Sequence, residues 1–110
     1  GWERTPSFDH AGSLLAYSES AADGQAQLRL RSRDGRIDRH YTDGEAGTED
    51  LCPRFSPDDR DLLWTRHRDG RCELLRAPVL GGPATAMGAC ATGLSCPDWQ
   101  GDWVVYSAPP

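Results

Sequence analysis

The apolar positions of this chain fall in short segments divided by polar turns. Leu62-Leu63-Trp64-Thr65 is a β-prone apolar run too short for a stable helix. Residues 27–32, Gln-Leu-Arg-Leu-Arg-Ser, alternate polar and apolar, the mark of a strand with one buried face. Residues 14–19 read as another strand, and 37–42 as a polar outer one. An outermost strand is an edge, and Arg36, Asp38, Arg39 and His40 blunt edge-to-edge pairing there. Turn signals stand between these segments. Asp23-Gly24 lies within a turn over 20–25, and Asp34-Gly35 reads as a two-residue hairpin. In Ser56-Pro57-Asp58-Asp59, Pro57 presets its backbone angle and the aspartates can bond nearby amides. Pro53 cannot donate a ladder hydrogen bond, so it belongs at the start of a strand.

This strand–turn–strand unit recurs. Pro6 to Ser18 aligns without a gap on Pro53 to Thr65, 47 residues on. Phe8 matches Phe55, Leu15 matches Leu62, and Tyr17 matches Trp64. A third copy starts at Pro97, 44 residues after Pro53, with Trp99 for Phe55 and Val104-Val105-Tyr106-Ser107 for Leu62-Leu63-Trp64-Thr65. Its turn is two residues shorter. The second halves also correspond: Asp23-Gly24 with Asp69-Gly70, Leu28 with Leu74, and Asp34-Gly35 with Gly81-Gly82. A period in the mid-forties with about four short strands per unit is that of a propeller blade. The expected fold is therefore all-β, a partial β-propeller of about two and a half four-stranded blades. Blade 1 covers about 4–46, blade 2 about 50–92, and a half blade 94–108. The second blade places strands at 51–55, 62–67, 72–78 and 84–90, and the half blade at 96–99 and 103–107. Residues 43–50, acidic and Gly-rich, form the connection between blades. Known propellers typically close with 4–8 blades, so a fragment of this size leaves blade flanks open, pairs with another chain, or belongs to a larger propeller.

Composition agrees with many short strands and tight turns. The 110 residues include 12 Gly and 8 Pro, and only 37% are apolar. The formal charge of −5 argues against nucleic acid as a partner of this segment, because neutralising phosphates takes a basic surface. No apolar run approaches the ~20 residues of a membrane span, and there is no signal-like segment. The chain begins at Gly1-Trp2 without an initiator Met, and is read as a piece of something longer.

The four cysteines are Cys52, Cys72, Cys90 and Cys96. Cys72 and Cys90 are equidistant from Gly81, at the centre of the turn Leu80-Gly81-Gly82. Such residues face each other across a two-stranded ladder, with Cβ atoms ~4.5–5.5 Å apart, near the reach of a disulfide. Cys52 and Cys96 each precede the Pro that opens an inner strand, so a bond between them would staple one blade to the next. Cys90–Cys96 is the alternative pairing, and four reduced thiols in a cytosolic protein the plainer one. The spacings match no familiar zinc pattern. The reading adopted is Cys72–Cys90 in an oxidising compartment, with Cys52–Cys96 as the second pair.

Pro53 to Trp64 resembles the repeat of TolB-type propellers. The segments Gly1-Trp2-Glu3-Arg4-Thr5-Pro6 and Cys72 to Pro83 with Cys90 are, more narrowly, similar to blades of CadC-like bacterial regulators. Those proteins join a cytoplasmic winged-helix DNA-binding domain, one membrane helix and an extracytoplasmic TolB-like propeller. The resemblance implies a periplasmic, non-catalytic sensing or protein-interaction segment of a membrane-bound transcriptional regulator. It would contact a protein partner or small ligand through its loops, with no cofactor and no membrane segment of its own, and could self-associate through its open flanks. The alternatives are the propeller of a prolyl-oligopeptidase-like serine peptidase and a TolB-like scaffold of envelope assembly. The first copy departs from the family pattern at Asp9-His10-Ala11-Gly12, and the second carries Asp59 in place of the usual turn Gly.

Catalytic constellations are weak. His10, His40 and His67 read as solvated surface imidazoles. Gly93-Leu94-Ser95-Cys96-Pro97 comes nearest to a nucleophile elbow but has Pro in its last place. Asp58, Asp59 and Asp61 cluster as calcium ligands do, although local capping is the commoner role of turn aspartates. Trp64 and Trp99 sit at core positions of the repeat. Trp103 replaces Asp61 of the preceding copy and is the aromatic expected to make a contact.

Overall fold

The computed structural model describes residues 2–21, 25–43, 46–93 and 96–109, with side chains from Thr5 onward. Ten strands and no helix are found among them. They are β1 (Trp2–Phe8), β2 (Leu14–Ser20), β3 (Ala26–Ser32), β4 (Asp38–His40), β5 (Thr48–Phe55), β6 (Asp61–Arg68), β7 (Arg71–Pro78), β8 (Thr85–Cys90), β9 (Asp98–Gln100) and β10 (Trp103–Val105). β1 to β4 form one antiparallel meander and β5 to β8 a second. β9 and β10 form a separate hairpin. A single parallel bridge, Ala26 to Glu49, ties β3 to β5.

The meanders stack through their side chains, which explains the two burial patterns in the sequence. β6 has apolar residues on both faces because it lies between two neighbours. Leu62 and Trp64 meet Ala16, Leu28 and Leu30 of the first meander. Leu63, with Leu74 and the Cys72–Cys90 pair, meets Trp99 and Val104 of the last hairpin. β3 is apolar on one face only. Its Leu28 and Leu30 enter the shared core, while Arg29 and Arg31 take the other face, held by Asp38 and stacked over Tyr17.

β1 and β5 carry matching bulges. Their registers shift between Arg4 and Ser7 and between Leu51 and Arg54. Thr5 and Cys52, each followed by Pro, have φ of 48° and 59°. A proline without an N–H breaks the ladder locally, and the bulge accommodates the break.

Four expectations are corrected. Pro53 lies inside β5, at its bulge, rather than at the start of a strand, because the strand already begins at Thr48, within the expected 43–50 connection. The outer strand is β4, three residues rather than 37–42, because the amides of Tyr41 and Thr42 both turn to Leu28 O and Thr42 Oγ1 accepts from Leu28 N. Tyr41 thereby packs edge-on against Trp64 of the next meander. Asp34-Gly35 is not a two-residue hairpin: Ser32 N donates to Ile37 O across a four-residue loop, and only Gly35 of the pair has positive φ. The two-residue turn is Asp69-Gly70, where both φ values are positive and Arg68 pairs with Arg71. β9 begins at Asp98, since Cys96 is engaged elsewhere. Asp23-Gly24, Gly44-Glu45 of the blade connection and Leu94-Ser95 lie outside the described residues.

Candidate interaction surface

Successive antiparallel strands put alternate connections at the same end. The β1–β2, β3–β4, β5–β6 and β7–β8 turns therefore share one rim. Direct contacts tie them: Arg33 N donates to Ser13 O, and Val79 N to Arg60 O. The amide of Ala91, after β8, donates to Ser107 O, so β10 starts at this rim too, with Trp103.

Three of the turns use one frame. At residues 9–14, 32–37 and 56–61, the first amide donates to the last carbonyl, and the fourth amide donates back to the first carbonyl. The fourth residue has positive φ: Gly12, Gly35 and Asp59. Ser-x-Asp-x-Arg supplies the side-chain bracing in two of them. Ser56 Oγ donates to Asp58 and accepts from Asp61 N, while Arg60 N donates to Asp58. Ser32, Asp34, Arg36 and Ile37 repeat this bond for bond. In the remaining turn Asp9 takes the serine's place, accepting from Ser13 and from Leu14 N. The Ser56 hydroxyl and the Arg60 amide hold the Asp58 carboxyl below its usual range. The Arg36 amide and Ser32 hydroxyl do the same for Asp34.

Asp59 departs from local capping. Its carboxylate accepts from the amides of His10 and Ala11 and lies 2.7 Å from His10 Nδ1, so it joins the turns of successive repeats. His10 is thus engaged rather than merely solvated. Burial pushes the Asp59 carboxyl up, but the His10 bonds prevail and hold it below the usual range. Asp61 serves a third purpose, pairing with Arg76 at 2.7 Å, and Arg76 in turn stacks on Trp99 at 5.0 Å. The three aspartates therefore have three separate sets of partners. No group of acidic, His or Cys residues suited to a metal occurs among the described residues.

On this braced rim stand large apolar side chains that face water: Leu80 is 89% exposed, Trp103 79%, Phe8 64% and Ile37 40%. The exposure of Phe8 contrasts with its repeat-mate, since Phe55 is buried. Trp103 was singled out by sequence; Leu80, in the Gly-Gly turn, was not.

Away from the rim, Cys72 is bonded to Cys90 and Cys52 to Cys96. Cys72 and Cys90 are direct partners in the β7–β8 ladder. Cys52 sits at its bulge, and its amide donates to Thr5 Oγ1 at 3.0 Å. Thr5 is the repeat-equivalent of Cys52, as Cys96 is, so one position of the repeat is linked across all three copies. The 47-residue offset could have flagged Thr5.

Between the first two meanders lies a cavity of about 230 Å³ lined by Tyr41, Asp43, Trp64, Arg66, Gly81 and Gly82, among others. Arg66 is held there by a bidentate pair with Asp50, whose carboxylate is 1% exposed. The Tyr41 hydroxyl, which donates to Pro78 O, is pushed up to about 12 by burial and by the charge of Asp61.

No protein-family profile matches the chain, and no curated protein does. Among solved structures it is similar to TolB from Acinetobacter baumannii, with 21% identity and a TM-score of 0.60 over 84% of this chain. It spans 22% of that chain's length. The strands described above accordingly have the fold of part of a TolB-like β-propeller.

Proposed function

We propose that this chain is a non-catalytic protein-interaction segment of an extracytoplasmic propeller, and that it serves as the periplasmic sensing part of a membrane-bound transcriptional regulator. The observation that carries the interaction reading is the rim: Phe8, Ile37, Leu80 and Trp103 stand in water at one end of the strands, and the turns that follow Phe8 and precede Ile37 are fixed by side-chain-to-backbone bonds. Exposed apolar groups on a rigid frame bind a partner with little ordering cost. The two disulfides favour an oxidising compartment. The net charge of −5 disfavours nucleic acid. The regulator assignment rests on the likeness of the Cys72 to Pro83 segment to CadC-like blades.

The full reading frame tests the assignment. An upstream winged helix and one membrane helix support it, and a downstream α/β-hydrolase domain replaces it with the peptidase reading. In the full-length regulator, Leu80→Ser with Trp103→Ser should abolish signal-dependent transcription while the protein stays folded and in the membrane. A fully responsive double variant would remove the rim from the mechanism.

A further inference from the structure

Two disulfides of different surroundings share this small chain. His67 and Cys72 are equidistant from the Asp69-Gly70 turn and pair across β6 and β7. Cys72 and Cys90 pair across β7 and β8. Imidazole, sulfur and sulfur therefore lie in line over three adjacent strands, with His67 Nε2 3.8 Å from Cys72 Sγ. The Cys52–Cys96 bond has no such imidazole contact among the described residues. The reacting groups border two adjoining cavities. One, about 340 Å³, is lined by both sulfur-bearing residues, Gly70, Arg71, Ala89 and Thr92. The other, about 220 Å³, reaches His67 and shares Gly70, Arg71 and Thr92.

We propose that Cys72–Cys90 is a thiol-exchange site, in which an incoming thiol attacks Cys90 and His67 receives Cys72 as the leaving sulfur. The thiolate of a low-molecular-weight thiol forms a new S–S bond to Cys90 Sγ. The Cys72–Cys90 bond breaks, its electron pair goes to Cys72 Sγ, and the proton of a His67 imidazolium passes to that sulfur. A second equivalent of the thiol then releases Cys90 and leaves as the oxidised disulfide of the reagent, so the protein is reduced by two electrons. Exchange speeds up as the leaving thiol is made a better leaving group, and a neighbouring imidazolium does this for one sulfur only. Arg71, at the shared wall, suits the carboxylates of a peptide thiol. The charged groups that share a cavity with His67 are Glu49, its register partner on β5, Arg68 on its own strand, and Asp69 and Arg71 at the turn; Cys72 is its partner on β7. This chemistry goes beyond the interaction reading and does not depend on it.

The test is a short exposure of the oxidised chain to reduced glutathione, acid quenching, and peptide mapping of adducts and free thiols. The glutathione adduct should fall on Cys90 and the free thiol on Cys72; an adduct mainly on Cys72 overturns the proposal. The rate of Cys72–Cys90 opening relative to Cys52–Cys96 opening, in the same molecules, cancels the ionisation of glutathione. That ratio should fall about tenfold from pH 5.5 to pH 8 as imidazolium is lost. A constant ratio sinks the role of His67 without any variant. His67→Gln should slow Cys72–Cys90 opening about tenfold at pH 6, leave it unchanged at pH 8, and leave Cys52–Cys96 opening unchanged at both. Equal slowing at both pH values would make the residue structural and refute the assignment.

Discussion

Asp59 occupies a backbone conformation that two sister turns give to glycine. A side chain there costs about 1 kcal/mol or more, whereas hydrogen bonds to a charged carboxylate contribute about 1.5–3 kcal/mol each before screening. The balance favours keeping the aspartate. Asp59→Ala retains the backbone cost and loses the bonds, so it should destabilise by about 2 kcal/mol in urea unfolding; Asp59→Gly should fall about 1 kcal/mol short of that loss. Equal loss in both variants would contradict the backbone argument. The acid side has a definite sign. The folded carboxyl lies below its usual range, so its contribution is fully present above the unfolded carboxylate value near about pH 4. It is lost as pH falls through the lower folded value. Asp59→Asn should flatten the stability profile in that window. Sequence reading anticipated the local work of Asp58, because a turn residue and the amide it caps are two positions apart. It could not anticipate Asp59, whose partner His10 lies 49 positions away. Nothing local states which turn will lie beside it.

Equivalent strands bury unequal faces according to what lies beside them. Leu62 is fully buried, whereas its equivalent Leu15 is only half-buried, on the polar face of the first meander. The strands β2, β3, β6 and β7 were legible to within two residues, because alternation and apolar runs report a strand's own faces. β4 and β9 were overextended, because their ends depend on bonds from elsewhere: Leu28 draws Tyr41 inward, and the disulfide holds Cys96. The strand-to-strand pair Asp50–Arg66 was invisible for a similar reason, since 16 residues and a turn separate its members. Its burial makes it consequential. Arg66→Met leaves Asp50 with an uncompensated buried charge and should cost about 3–5 kcal/mol. Asp50→Asn combined with Arg66→Met should recover at least half of that loss in chemical denaturation. No recovery would mean that Arg66 acts through packing alone.

Across the whole molecule, the tandem pattern was the most legible property, and the faces it leaves open are the least settled by sequence. One flank carries Val105 outward, more than half exposed, while its equivalent Leu63 is fully buried against the next hairpin. The opposite flank carries Phe8, whose register partner Leu15 pairs in turn with Arg31. In isolation this chain should self-associate through those flanks. Sedimentation between about 5 and 200 µM should show rising mass, and the melting temperature should rise with concentration. A monomer whose melt ignores concentration would show that the flanks are already satisfied. The linked repeat position has a separate, mechanical consequence. Thr5 is fastened to Cys52 by a hydrogen bond, but Cys52 is fastened to Cys96 covalently. Tension applied at the two termini would peel away the first repeat and the last hairpin, which lie outside that tie. The 44 positions spanned by the covalent tie would stay locked until a reductant cut it, and the nested Cys72–Cys90 bond would still withhold 18 of them, so a stretched molecule would lengthen in instalments, those after the first chemically gated.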